Sequence, residues 1–259
     1  MLHFTETGAG SPVVLLHAFP MDSALWAAQR RTLAAAGHHV LTPDLPGFGG
    51  SPLPHEHPSL DVMADQVADL MDTLALKRAV VGGLSLGGYV TMAMLRRHPE
   101  RVSAIVLADT KAGADGEEAV ATRLAMAQRV ETEGTSGLAE QMIGNLLGAT
   151  TRAERPEVVQ TVSRWIEAQQ PEAIAWAQRA MAGRPDSSGD LASFGGPVLV
   201  LYGAEDVISP ADEAAAMAEA ARSGGSEVTV TEIPAVGHLS AVEDPPAVTA
   251  AIGDWLGGL

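Results

Sequence analysis

The chain has 259 residues and a formal charge of −16, from 16 Lys and Arg against 32 Asp and Glu. A surface this acidic argues against phosphate backbones and anionic lipid, which recruit clustered cations, so neither nucleic acid nor membrane is an expected partner. The absence of cysteine removes disulfides and thiolate metal sites, and 46% hydrophobic with 19% charged residues fits a folded globular chain. The first residues carry neither a basic start nor an apolar stretch of leader type, which predicts a cytoplasmic protein.

Leu2 to Glu6 reads as an edge strand, and Val13 to Leu16 as a short apolar strand of the buried parallel kind. His17-Ala18-Phe19-Pro20 breaks it. A helix from Leu25 to Ala36 ends at Gly37, and His39 to Pro43 forms the next strand, running into Asp44-Leu45-Pro46-Gly47-Phe48-Gly49-Gly50-Ser51. Between Ser59 and Leu76 the apolar residues Leu60, Met63, Val67, Leu70, Met71 and Leu74 recur at helical spacing, with Ser59 or Asp61 as the cap. The strand from Ala79 to Gly82 then runs through Gly83-Leu84-Ser85-Leu86-Gly87 into a helix that Pro99 closes, and Val102 to Leu107 is another strand. Repeated strand-helix alternation predicts an α/β fold, a mostly parallel sheet with helices on both faces.

The pattern changes from Thr110 to Asp190. Four amphipathic helices are expected near 117–132, 136–147, 156–169 and 171–182, with Pro185 to Gly189 as the loop returning to the sheet. Pro197 to Gly203 and Val228 to Ile233 restore the strands, separated by a helix over Ala211 to Ala221 and followed by one from about Pro246 to Leu256.

Parallel sheets gather their chemistry at the carboxyl ends of strands. Ser85, Asp206, His238 and the turn after Leu16 all stand there. Gly83 to Gly87 has the G-x-S-x-G form, and the chain order Ser, Asp, His is the one that accompanies that elbow. Asp109 and Glu205 are alternative acids, because geometry rather than sequence position defines such a triad. His17 is read as a structural histidine and Asp44 as a residue that fixes its own loop by Asx-type bonds. His55 and His57 flank Glu56 without a third ligand in view, so no metal is expected.

Five segments together resemble the α/β-hydrolase superfamily: His17 to Pro20, Asp44 to Ser51, Gly83 to Gly87, Gly203-Ala204-Glu205-Asp206, and Gly237-His238. The likeness is to the capped type that includes carboxylesterases, 3-oxoadipate enol-lactonases, cofactor-free haloperoxidases and C-C bond hydrolases. It implies residues 1–110 and 191–259 as the core and 111–190 as an all-helical cap inserted after the sixth strand. It further implies Ser85 as nucleophile, His238 as base and Asp206 as orienting acid, with an oxyanion hole made by the backbone N–H groups of Phe19 and Leu86. Ala18 stands where related chains usually have glycine. Phe19, Met126, Met142 and Trp176 are candidate substrate contacts, with Met181 a further apolar residue of the cap.

The resemblance implies a serine hydrolase that cleaves a small carboxylic ester or lactone without cofactor. Other readings stay open. Eight of the 16 basic residues lie from Lys111 to Arg184, so Arg123 or Arg129 could serve an enol-lactonase or C-C hydrolase acting on an anionic substrate, or could simply balance nearby glutamates. Perhydrolysis uses the same triad, and a non-catalytic binding protein could keep the fold.

Overall fold

The computed structural model describes residues 1–259. Seven strands form one sheet in the order β1-β3-β2-β4-β5-β6-β7: β1 (Phe4–Thr7), β2 (Ser11–Leu16), β3 (His38–Pro43), β4 (Ala79–Leu84), β5 (Val102–Ala108), β6 (Val198–Gly203) and β7 (Val228–Ile233). Only β1 runs antiparallel, pairing with β3. The central strands β4, β5 and β6 are almost entirely buried, in keeping with their largely apolar sequences, whereas the edge strands β1 and β7 carry exposed residues.

The chain moves from β2 outward to β3, then crosses back to place β4 on the other side of β2. This reversal makes the carboxyl ends of β2 and β4 a topological switch point, the place where open α/β sheets bind ligands. Right-handed crossovers in the two directions put helices on opposite faces. On one side α1 (Ala27–Ala35) packs on the C-terminal helix α12 (Pro245–Leu256); on the other, α2 (Leu60–Thr73), α3 (Leu86–Arg97), α9 (Ser188–Phe194) and α10 (Ala211–Ser223) pack in series. Ser59 caps α2 by accepting the N–H of Asp61. No helix is long and apolar enough to cross a membrane.

Between β5 and β6 stand α4 (Glu117–Glu133), α5 (Leu138–Leu146), α6 (Ala149–Glu154), α7 (Pro156–Glu167) and α8 (Pro171–Ala182). They pack chiefly on one another, α4 on α8, and α5 and α6 on α7. Three expectations change, the first being that α6 makes five helices where four were expected. The insertion leaves the sheet after the fifth strand, not the sixth, because the first 43 residues supply three strands and only β4 and β5 follow. The segment expected as a loop at Pro185 to Gly189 runs into α9, whose Leu191 is buried and which packs against α3 and α10.

Candidate active site

Ser85 sits at the turn from β4 into α3 with φ 54° and ψ −110°, a region costly for any residue with a Cβ, of order 1–3 kcal/mol. The turn holds because its flanks are packed without space. A Cβ on Gly83 would overlap the backbone of Gly87, and one on Gly87 would overlap the carbonyl of Leu16 at the end of β2. These glycines therefore let β2, β4 and α3 meet, and they present the Ser85 side chain at the carboxyl ends of β2 and β4.

Ser85 Oγ and His238 Nε2 are 2.8 Å apart, and His238 Nδ1 lies 2.8 Å from Asp206 Oδ2. Asp206 Oδ1 accepts the N–H groups of Ile208 and Ser209. Both carboxylate oxygens are thus occupied, which leaves Nδ1 as the protonated nitrogen of His238 and Nε2 free to accept from Ser85. The three residues are 8%, 1% and 5% exposed. Burial pushes the Asp206 carboxyl up, but the facing His238 and the two backbone donors outweigh it and hold the group below the usual carboxylate range.

Asp109 and Glu205 are turned elsewhere. Asp109, fully buried after β5, accepts from Gly203 N at 2.9 Å and from Ser240 Oγ at 2.5 Å. Burial and then the neighbouring Asp206 push its carboxyl well above the usual range. The two carboxyls are thus pushed in opposite directions, Asp206 toward its charged form by the histidine it faces and Asp109 away from it by burial. Glu205 bonds the backbone N–H and hydroxyl of Thr150 in the insertion.

Backbone donors stand at the same strand ends. Leu86 opens α3, so its N–H has no partner in the helix's own ladder. The Phe19 N–H, just beyond β2, donates to no acceptor in the protein, and the Phe19 ring packs edge-on against Phe48 with centroids 6.1 Å apart. His17 shapes this turn: Leu45 N donates to its Nε2 at 2.8 Å, so Nδ1 carries the proton toward Ala18 O. Burial lowers its pKa, in keeping with a neutral structural ring. Asp44 reaches further than an Asx turn, accepting from Ser23 N, Gly50 N and His3 Nδ1, and so ties β1 and the chain after β2 to the loop after β3.

The residues singled out on the insertion are more dispersed. Trp176 is buried on α8, and its indole N–H bonds Glu56 O in the exposed loop carrying His55 and His57. Met142 is half-buried against the core. Met126 lines a cleft of about 680 Å³ at the start of α4, together with Lys111, Arg123 and Gln178. Arg123 is committed to the buried carboxylate of Asp115 at 2.5 Å, which also holds Arg184, and its Nη1 touches Gln178 and Met181. The partner of Arg123 is thus a buried aspartate rather than a solvated glutamate. Arg129 bonds Gln141 on the exposed surface. A residue that escaped the sequence analysis is Glu243, which closes the four-residue α11 (Ser240–Glu243) and is buried beside the histidine loop.

A strand-elbow-helix bearing a serine, a histidine bonded to it and an acid behind the histidine define one class of protein, and residues 11–245 match the family model described as alpha/beta hydrolase fold. The chain belongs to that family. It is 41% identical to a thermophilic esterase from Thermogutta terrifontis, solved with malate bound, over 99% of this chain and 93% of that one, with a TM-score of 0.94. It is 26% identical to the enol-lactonase from Burkholderia xenovorans LB400, over 99% and 96% of the two chains, with a TM-score of 0.88. Among curated relatives, bifunctional epoxide hydrolase 2 from Sus scrofa is 38% identical over 111 residues, which are 42% of this chain and 20% of that one. The chain likewise matches 39% of the length of a relative from Synechocystis.

Proposed function

We propose that the protein is a serine hydrolase that cleaves small carboxylic esters or lactones through an acyl-enzyme intermediate, without a cofactor. The observation that carries this reading is the continuous chain of 2.8 Å contacts from Ser85 Oγ through His238 to Asp206. A serine hydroxyl is too weakly acidic to attack a carbonyl unaided. As Oγ bonds to the acyl carbon its proton passes to His238 Nε2, and Asp206 stabilises the resulting imidazolium. The N–H groups of Leu86 and Phe19 take the charge that develops on the carbonyl oxygen, an interaction worth roughly 10²- to 10³-fold in rate per donor. His238 then returns the proton to the departing alkoxide, and water repeats the sequence on the acyl-enzyme.

The inserted helices act as the cap of residues 111–190 in this reading, with Phe19 lining the acyl pocket and Met126, Met142 and Trp176 supplying apolar surface around it. A cytoplasmic location goes with it. Similarity to an esterase and an enol-lactonase along nearly the whole chain supports the choice of substrate class. An anionic substrate is less well served, since Arg123 is tied to Asp115.

A panel of p-nitrophenyl esters of graded acyl length, with neutral and anionic lactones, tests the proposal against a Ser85→Ala control. Turnover of at least one of these esters or lactones, lost in the Ser85→Ala protein, is the expected result. Turnover of none of these compounds above the control would refute it.

A further inference from the structure

The loop that presents His238 is held from two sides. From the sheet, Glu205 N donates to Val236 O at 2.8 Å, just beyond β6. The other side belongs to Glu243 and the insertion. Glu243 is 3% exposed, and its Oε1 accepts the N–H groups of Gly237 at 3.0 Å and Leu239 at 3.1 Å, the two residues that flank His238. Its Oε2 accepts the N–H of Gly148 at 2.8 Å, on the short link between α5 and α6. The insertion adds three more bonds. Leu239 N also donates to Leu146 O, and Arg155 donates to Ala235 O and to Glu243 O. Gly148 and Gly237 approach so closely that a Cβ on either would overlap the other's backbone.

We infer that Glu243 is a positioning residue through which the inserted helices fix the place of His238; the inference rests on the roles proposed above for Ser85 and His238. Three N–H donors converge on its carboxyl group, two from the histidine loop and one from the insertion. A carboxylate can accept from all three, because both oxygens are acceptors and neither carries a proton. An amide cannot. Its NH₂ must face either Gly148 or the Gly237 and Leu239 pair, donor against donor, and that side must move away. A shift of the link between α5 and α6 is therefore transmitted to the residues on either side of His238. The sequence hides this role, since the contacts run to backbone groups that any residue carries.

The test uses the full chain, p-nitrophenyl acetate as substrate and phenylmethylsulfonyl fluoride as a probe of Ser85. Glu243→Gln is expected to lower kcat about 10- to 100-fold, the cost of displacing a reacting group by about 1 Å. KM should stay within about threefold, and Ser85 should be sulfonylated more slowly by the same factor as kcat. Should Glu243→Gln fail to fold, as judged by circular dichroism, Arg155→Met carries the test, because it loosens the insertion from the loop while leaving the carboxylate in place. It is expected to lower kcat about three- to tenfold with little effect on KM. A folded Glu243→Gln protein with kcat and sulfonylation within twofold of the wild type overturns the inference, as does an Arg155→Met protein changed in KM alone. Failure of the underlying functional reading looks different: the wild-type protein itself then neither turns over the ester nor reacts at Ser85. The NMR resonance of the His238 Nδ1 proton gives a readout independent of turnover. It is expected to shift or broaden in Glu243→Gln, and an unchanged resonance counts against the inference.

Discussion

Ser85→Ala is expected to lower kcat/KM for a short ester about 10⁶-fold, the scale of nucleophile loss in triad enzymes. No neighbouring hydroxyl is placed to substitute. Thr110 Oγ1 is spent on Ser85 O, and Ser240 Oγ on Asp109. The backbone donors at Leu86 and Phe19 remain after the change, so a residual acceleration over water should persist. Because alanine keeps the Cβ, the elbow meets the same packing and the same φ, and the melting temperature should differ little from that of the wild type. Initial rates with p-nitrophenyl acetate, beside a thermal melt, check both statements.

Asp206→Asn should lower kcat about 10⁴-fold, whereas Asp109→Asn should leave it within about threefold. Asparagine at 206 would offer its NH₂ to His238 Nδ1 and favour the tautomer with the proton on Nε2, the wrong nitrogen for receiving one from Ser85. At position 109 the carboxyl is held toward its neutral form, so the amide replaces it nearly like for like. The amide oxygen can keep the bond from Gly203 N while the NH₂ donates to Ser240 Oγ, losing only the long 3.3 Å bond from Ser240 N, and asparagine tolerates the φ of 44° found there. The two variants also differ in how stability follows pH. Asp206 has a folded pKa below its unfolded one, so its contribution is present above the unfolded value and is lost as pH falls through the folded value. Asp206→Asn should accordingly flatten the loss of stability on acidification below about pH 4. Asp109 has the opposite sign. Its ionisation favours the unfolded chain as pH rises from the ordinary value toward the raised folded one, and Asp109→Asn should remove that decline. Urea unfolding across the acid range separates the two.

The sheet was legible because its central strands are buried on both faces and so read as continuous apolar runs. Ser85 and Asp206 each follow such a run within a few residues, and His238 follows the half-exposed edge strand β7, so their order could be taken from the chain. What sequence adjacency does not encode is direction. Glu205 and Asp206 are neighbours, yet one carboxylate turns to Thr150 in the insertion and the other to His238. Asp109 lies at an equivalent strand end and turns to Ser240. The loop expected at Pro185 to Gly189 leads into a helix because Leu191 finds a buried place beside α3 and α10, a tertiary contact that overrides local Pro and Gly signals. The six residues of α6 were hidden in the same way, between Gly148 and Pro156 with two threonines inside. The apolar residues of the insertion pack mostly within it, so their spacing reports its own core more readily than a substrate.

The central claim is that Ser85 is a nucleophile activated by His238. The most direct measurement is the intact mass of the folded protein after treatment with phenylmethylsulfonyl fluoride, followed by peptide mapping. One sulfonyl group per chain, on Ser85 and absent from a His238→Ala protein, is the predicted result. A folded wild-type protein that gains no mass, or gains it at another residue, would contradict the account.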